Sequence, residues 1–212
     1  MKNIKDELQH IIFSNEPFGQ RDNLKKTQNF LRGYAETGYA SEKQQFLKSE
    51  ETLALIKFSE SAGLIYNREI LEEHFISAGA EQRVYQYDGF SIIKTNGSIF
   101  YERWLDYFNN LLLHNYFFPA TSYNFLGFKL INNELNAVVQ QDFIVTTEST
   151  NLSLVKEFLV FNNFENTRNN DYFNKTLGII FEDLHDENVL CNNGVLFFID
   201  TVFYLTESFY QK

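Results

Sequence analysis

The spacing of apolar positions changes character near residue 70. Before that point they recur at helical intervals. Ile4 to Ile12 has this period, and Asp22 to Tyr34 repeats it with Leu24, Phe30, Leu31 and Tyr34. A longer helix is predicted over Ser41 to Ala62, with Phe46, Leu53, Leu55, Ile56 and Phe58 facing inward, Ser41 as N-cap and Gly63 as C-cap. Turn residues at Glu16-Pro17 and Thr37-Gly38 separate these helices. After residue 70 short β-prone runs appear. His74 to Ser77 predicts a short strand, and RVYQY (83–87) and FSIIKT (90–95), joined by Asp88-Gly89, predict a hairpin. Ser98 to Asn115 is helical through Tyr101, Trp104, Phe108, Leu111 and Leu112. YNFLGFKLI (123–131) and LNAVVQQDFI (135–144) form a second hairpin about Asn132-Asn133. Asn151 to Phe164 is helical again, followed by a loop and a small hairpin about Asn192-Asn193-Gly194. The order is that of an α+β chain with a helical N-terminal extension and no internal repeat.

Composition narrows this picture. A chain of 212 residues with 23 Phe and 12 Tyr has ample material for a core and suits one large domain or two small ones. The net charge of −10 is unevenly spread. Residues 1–70 carry ten basic and ten acidic side chains, whereas residues 71–212 carry eight and eighteen. A nucleic-acid backbone needs a basic footprint, so nucleic acid is excluded as a non-specific partner. A phosphate ligand remains compatible with an acidic site when a divalent metal accompanies it. The single Cys191 excludes a disulfide framework within the chain and suits a reducing compartment. The start MKNIKDELQH has no apolar h-region, so no signal peptide is expected. No apolar run approaches the roughly 18–20 residues of a membrane span. A cytoplasmic protein without a membrane partner is therefore expected.

Three places carry candidate chemistry. In FSIIKT the period of two puts Lys94 on one face with Phe90 and Ile92. A lysine so placed either snorkels at a strand end or clamps a buried anion such as a phosphate. Gly79, in the turn of SAGAEQRVY, lets backbone approach a ligand, although turns use glycine in any case. In FEDLHDENVLCNNGVLFFID (181–200), Asp183 and Asn188 lie five apart, and Asp200 closes an apolar run. An acid at the edge of a core needs a partner, and a metal ion is one candidate beside an ordinary salt bridge.

These residues resemble a family. DLHDEN (183–188) is similar to the protein-kinase catalytic loop D-x-x-x-x-N, and DLH is closer still to the aminoglycoside and choline kinase-like version. Asp200 falls at the metal-binding acid of the DFG motif. Gly79 and Val84 have the separation of the middle glycine and the valine in G-x-G-x-x-G-x-V, and Lys94 ends the next strand as the strand-3 lysine does. More narrowly, SAGAEQRVY, NTRNNDYFN (166–174) and GIIFEDLHDENVL (178–190) resemble the kinase domain of polyvalent proteins from bacterial mobile elements. The departures are specific. Ser77 and Gln82 stand at the outer glycine positions, Phe181 and Glu182 replace His and Arg of HRD, and the DFG position reads Asp200-Thr201-Val202. Only twelve residues follow Asp200, so an activation loop and most large-lobe helices are expected to be absent.

The resemblance implies a minimal protein-kinase-like fold: an antiparallel small-lobe sheet, a reduced helical large lobe and the helical extension. The corresponding segments are 1–70, 71–144 and 145–212. It implies an ATP- and Mg²⁺-dependent phosphotransferase, with a protein or a small molecule as phosphoacceptor. Lys94, held by Glu102 or Asp106, meets the α- and β-phosphates. Gly79 and Val84 cover the nucleotide, and the hinge Gln140, Gln141 and Phe143 meets the adenine. Asn188 and Asp200 hold Mg²⁺, and Asp183 aligns the acceptor hydroxyl. Two other readings fit the same residues: a pseudokinase or nucleotide-binding interaction module without transfer activity, and a small-molecule kinase of the aminoglycoside or choline kinase type. The sequence gives no indication of oligomeric state.

Overall fold

The structure is a computed structural model and describes residues 3–16, 22–38 and 48–211. The elements run α1 (Ile4–Phe13), α2 (Asn23–Gly38), α3 (Lys48–Ala62), β1 (Phe75–Ala78), β2 (Gln82–Gln86), β3 (Ser91–Asn96), α4 (Trp104–Phe117), β4 (Asn124–Ile131), β5 (Glu134–Asp142), α5 (Leu152–Phe161), β6 (Glu165–Arg168), β7 (Asp171–Asn174), β8 (Ile179–Glu182), β9 (Val189–Asn192), β10 (Val195–Phe198), β11 (Val202–Leu205) and α6 (Glu207–Tyr210). The chain divides into two compact units. One holds Asn15–Leu111 and Tyr123–Phe143; the other holds Met1–Ser14, Leu112–Ser122 and Ile144–Lys212.

The first unit is built on a five-stranded antiparallel sheet ordered β1-β2-β3-β5-β4. The β4–β5 hairpin closes on Asn132 (φ 52°) and Asn133 (φ 66°), the left-handed pair of a two-residue loop that matches strand twist. The β2–β3 hairpin turns differently. Asp88 Oδ1 accepts the N–H groups of Phe90 and Ser91, both at 2.8 Å, and these bonds hold the Asp88 carboxyl below its usual range. Phe90 therefore stands outside β3 and is 85% exposed, not on the inward face with Ile92 and Lys94. Both faces of β3 are covered. On one, Ile93 and Val138 pack with Tyr66. On the other, Phe108 of α4 meets Phe125 and Phe128 edge-on or tilted, at centroid distances of 5.1 and 5.9 Å.

Helix α3 and the segment that follows it are integral to this unit. Leu64 and Tyr66 bond to Phe128 in a parallel bridge, adding backbone pairing to the free side of β4 (Tyr66 N–H to Phe128 O 2.7 Å; Phe128 N–H to Leu64 O 2.7 Å). Gly127 permits this approach: it has φ 137°, and a Cβ there would stand 2.4 Å from the Leu64 carbonyl oxygen. From α3, Lys48 Nζ bonds the carbonyls of Ser98 and Tyr101, and the buried Glu51 caps the start of α4. Its Oε2 accepts the Trp104 N–H at 2.6 Å, and its Oε1 accepts Arg103 Nε and Nη2 at 3.0 and 2.7 Å. Thr52 Oγ1 accepts Trp104 Nε1 at 2.9 Å. The predicted inward face of α3 is thus corrected. Leu55 is buried as expected, Leu53 is 63% exposed, and Glu51 and Ser59 are fully buried. Ser41 and Phe46 lie outside the described residues.

The second unit carries a four-stranded antiparallel sheet, β11-β8-β7-β6, and the β9–β10 hairpin. That hairpin turns on Asn193 (φ 49°) and Gly194 (φ 77°), at the predicted position. Its core is aromatic: Phe118 stacks on Phe198 at 4.3 Å, and Phe181 on Phe203 at 4.1 Å. Helix α1 docks on α6, with Lys5 Nζ bonding the Ser208 carbonyl at 2.8 Å and Gln9 Nε2 that of Phe209 at 2.5 Å. The β6–β7 hairpin falls where the pattern predicts a loop. Its first strand is exposed throughout, so no alternation marks it. Among the described residues, no helix is long and apolar enough to cross a membrane.

Candidate active site

The predicted site residues fall in both units: Gly79 to Phe143 in the first, and Asp183, Asn188 and Asp200 in the second. In the first unit, strand register aligns Val84, Lys94 and Val139 across β2, β3 and β5 on one face of the sheet. Lys94 is 2% exposed, so it does not snorkel to solvent, and its ammonium lies 5.3 Å from the Tyr123 ring centroid. Gln141 shares that face, two positions along β5; Gln140 belongs to the opposite face, where its amide bonds Ser91 Oγ at 3.0 Å. The Phe143 N–H donates to the Phe90 carbonyl at 2.8 Å. Gly79 closes the β1–β2 turn, its N–H donating to Gln82 O at 2.9 Å; it is open to space and does not need a positive φ.

The two candidate acids near Lys94 in sequence differ sharply. Glu102 precedes α4 and is exposed. Asp106 lies in the first turn of α4, where burial pushes its carboxyl up to about 6; Arg103 opposes this shift, and Glu51 and Glu102 add to it.

In the second unit the loop after β8 folds tightly on itself. Asp183 sits at its head with φ 63°, a conformation that Asp tolerates better than most residues. Two bonds from the β6–β7 hairpin fix it there: the Asp183 N–H donates to Asp171 Oδ1 at 3.2 Å, and the Leu184 N–H to the Asn170 carbonyl at 3.2 Å. The Asn188 amide nitrogen donates to the Asp183 carbonyl at 2.8 Å and to Asp183 Oδ2 at 2.9 Å. His185 Nε2 lies 3.4 Å from Asp183 Oδ1. The Asn188 backbone carbonyl accepts the N–H groups of Ile199 and Asp200, at 3.0 and 3.3 Å. The β9–β10 hairpin spans the sequence between these partners and returns Asp200 to Asn188. Asp183, Asn188 and Asp200 are thereby linked through one asparagine, whose side chain holds the first and whose backbone holds the last. Glu182, beside them, has its carboxyl raised by burial and by the charges of Asp171 and Asp183.

Comparison with known proteins identifies the family of the chain. The family described as "Serine/Threonine/Tyrosine Kinase found in polyvalent proteins" matches residues 48–207, well over half of the chain. The chain belongs to this kinase family. No curated protein and no solved structure matched it. The family match begins at Lys48, the first residue of α3 and the one that bonds the Ser98 and Tyr101 carbonyls ahead of α4. Among the described residues, the α+β architecture, with its antiparallel sheets and six α-helices, is a minimal kinase-like fold. Sequence reasoning missed Asp171 and Asn170 as supports of this kinase-family loop. The available signal was NTRNNDYFN, an Asn-rich turn between two short polar runs, which is weak because neither run alternates.

Proposed function

We propose that the chain is an ATP- and Mg²⁺-dependent phosphotransferase with an alcohol-type acceptor. The observation that carries this reading is the linkage of Asp183, Asn188 and Asp200 through the two ends of Asn188. Among the described residues, no group of three or more His, Cys, Asp and Glu side chains is arranged to hold a metal ion. The residues present fit a smaller demand. Magnesium keeps several waters and takes one or two protein oxygens plus phosphate oxygens. Asn188 turns its amide nitrogen to Asp183, so in this reading its Oδ1 would serve as one magnesium ligand and the Asp200 carboxylate as the other. Magnesium held there supplies charge neutralisation for the transferring phosphoryl group.

The chain's own residues do the remainder. Lys94 contributes a buried cation for the nucleotide phosphates. Asp183 orients the acceptor hydroxyl and accepts its proton; His185 and the Asn188 amide keep the carboxylate aimed. Catalysis is then chiefly positioning and electrostatic stabilisation. The test uses radiolabelled ATP with Mg²⁺, comparing the wild-type chain with Asp183→Ala, alongside thermal shift with nucleotide in the presence and absence of Mg²⁺. Label transfer, or ATP hydrolysis to water, lost in Asp183→Ala with nucleotide binding retained, supports the reading. Mg²⁺-dependent binding without any turnover in the wild type assigns a nucleotide-binding module instead. No nucleotide-dependent shift refutes the proposal.

A further inference from the structure

The segment that carries Asp200 is tied to the second unit's interior by a buried polar chain. His114, on the last turn of α4, is fully buried, and Thr121 and Thr201 are nearly so. His114 Nε2 lies 2.8 Å from the Thr121 carbonyl oxygen, which can only accept, so Nε2 carries the proton. Nδ1 is then the acceptor for the Thr201 hydroxyl, at 2.8 Å. Thr121 Oγ1 in turn donates to the Phe198 carbonyl at 2.6 Å. The bonds therefore grip the chain at Phe198 and at Thr201, on either side of Ile199-Asp200, while the Asn188 carbonyl takes the Ile199 and Asp200 N–H groups between them. Thr201 occupies a position where the kinase pattern has a large apolar residue, and a threonine of its size gains its hold through the hydroxyl.

We infer that His114, acting through Thr201, is a positioning residue that fixes Asp200 for its ligand. This rests on the reading of Asp200 as the Mg²⁺ carboxylate. The bond is worth testing because both partners are buried, where a hydroxyl–imidazole contact is not replaced by water. Protein interiors also transmit small displacements to neighbouring groups.

Thr201→Val keeps the shape and removes the hydroxyl; Thr201→Ser restores it; Thr121→Val releases the Phe198 end. Two measurements are made on each full-length variant. The first is amide hydrogen exchange at Ile199 and Asp200 in the absence of nucleotide. The second is the affinity for a non-hydrolysable ATP analogue with and without Mg²⁺. Thr201→Val is expected to speed exchange at both amides and to weaken Mg²⁺-dependent binding about tenfold, leaving Mg²⁺-free binding within about twofold. Thr201→Ser is expected to restore both, and Thr121→Val to speed exchange at Ile199. Wild-type exchange rates in Thr201→Val would overturn the inference, as would an equal loss of Mg²⁺-bound and Mg²⁺-free affinity, which marks a purely structural role. If the wild type shows no Mg²⁺-dependent binding, the proposed function fails. The exchange rates still decide whether His114 and Thr201 hold Asp200.

Discussion

Glu51→Ala is the most direct test of how α3 supports the first unit. Glu51 is fully buried, although the inward positions expected on its helix are all apolar. Removing it has two separable costs. The Trp104 N–H, at the buried start of α4, loses its acceptor; a buried donor left unsatisfied costs about 1–3 kcal/mol. The Arg103 guanidinium loses both of its bonds to Glu51 Oε1. Breaking a fully buried pair costs about 3–5 kcal/mol, and the 22% exposure of the Arg103 side chain lets water recover part of that. The two costs overlap in one network, so the expected loss is about 3–4 kcal/mol rather than their sum. Against a typical domain stability of about 5–15 kcal/mol this is a large fraction. Trp104 is the only tryptophan in the chain and sits at the perturbed contact, so its fluorescence during urea unfolding reads the first unit directly. Glu51→Gln keeps an acceptor for Trp104 and loses the charge, and is expected to recover roughly half of the deficit. A loss below about 1 kcal/mol for Glu51→Ala, with native tryptophan emission, would show that α3 does not cap α4.

Two further perturbations test neighbouring features. Asp106, raised to about 6 by burial, binds its proton more tightly folded than unfolded, where the value is ~3.9. Its contribution is therefore fully present below pH ~4 and is lost as pH rises through about 6. Asp106→Asn is expected to flatten that decline and to add about 2–3 kcal/mol at pH 7, and an unchanged pH profile of urea midpoints would refute it. Gly127→Ala places a methyl 2.4 Å from the Leu64 carbonyl at a φ of 137°. It is expected to cost about 2–4 kcal/mol by the same unfolding assay and to speed amide exchange at Tyr66 and Phe128; a neutral substitution would mean that the Leu64–Tyr66 pairing is dispensable.

Legibility in the sequence followed the range of the interactions involved. The β4–β5 and β9–β10 hairpins were readable because Asn132-Asn133 and Asn193-Gly194 encode their own turns. Helix α4 was readable from Trp104, Phe108, Leu111 and Leu112, whose burial follows their spacing. Lys94 stood out because a lysine among apolar neighbours in a strand needs a reason. The inward face of α3 was not readable. Glu51, Leu55 and Ser59 keep the helical interval of four, but the identity of Glu51 as an inward residue is set by Arg103 and Trp104, far along the chain. Asp171 was hidden for a similar reason, since its task is to hold a backbone N–H across a hairpin that no hydrophobic alternation announces. His114 has the same character. A lone histidine on an apolar helix gives no sign that its two nitrogens reach Thr201 and Thr121.

The short parallel bridge between Ile65 and Phe128 has a consequence for anyone who shortens this protein. A strand with unpaired N–H and C=O groups is a template for other chains, and natural sheets protect such edges. Cutting the chain just before the first strand, as its helical beginning invites, would strip the cover from an apolar eight-residue strand. The trimmed molecule would then be prone to self-association and precipitation, and its insolubility could be mistaken for evidence that the remaining domain cannot fold.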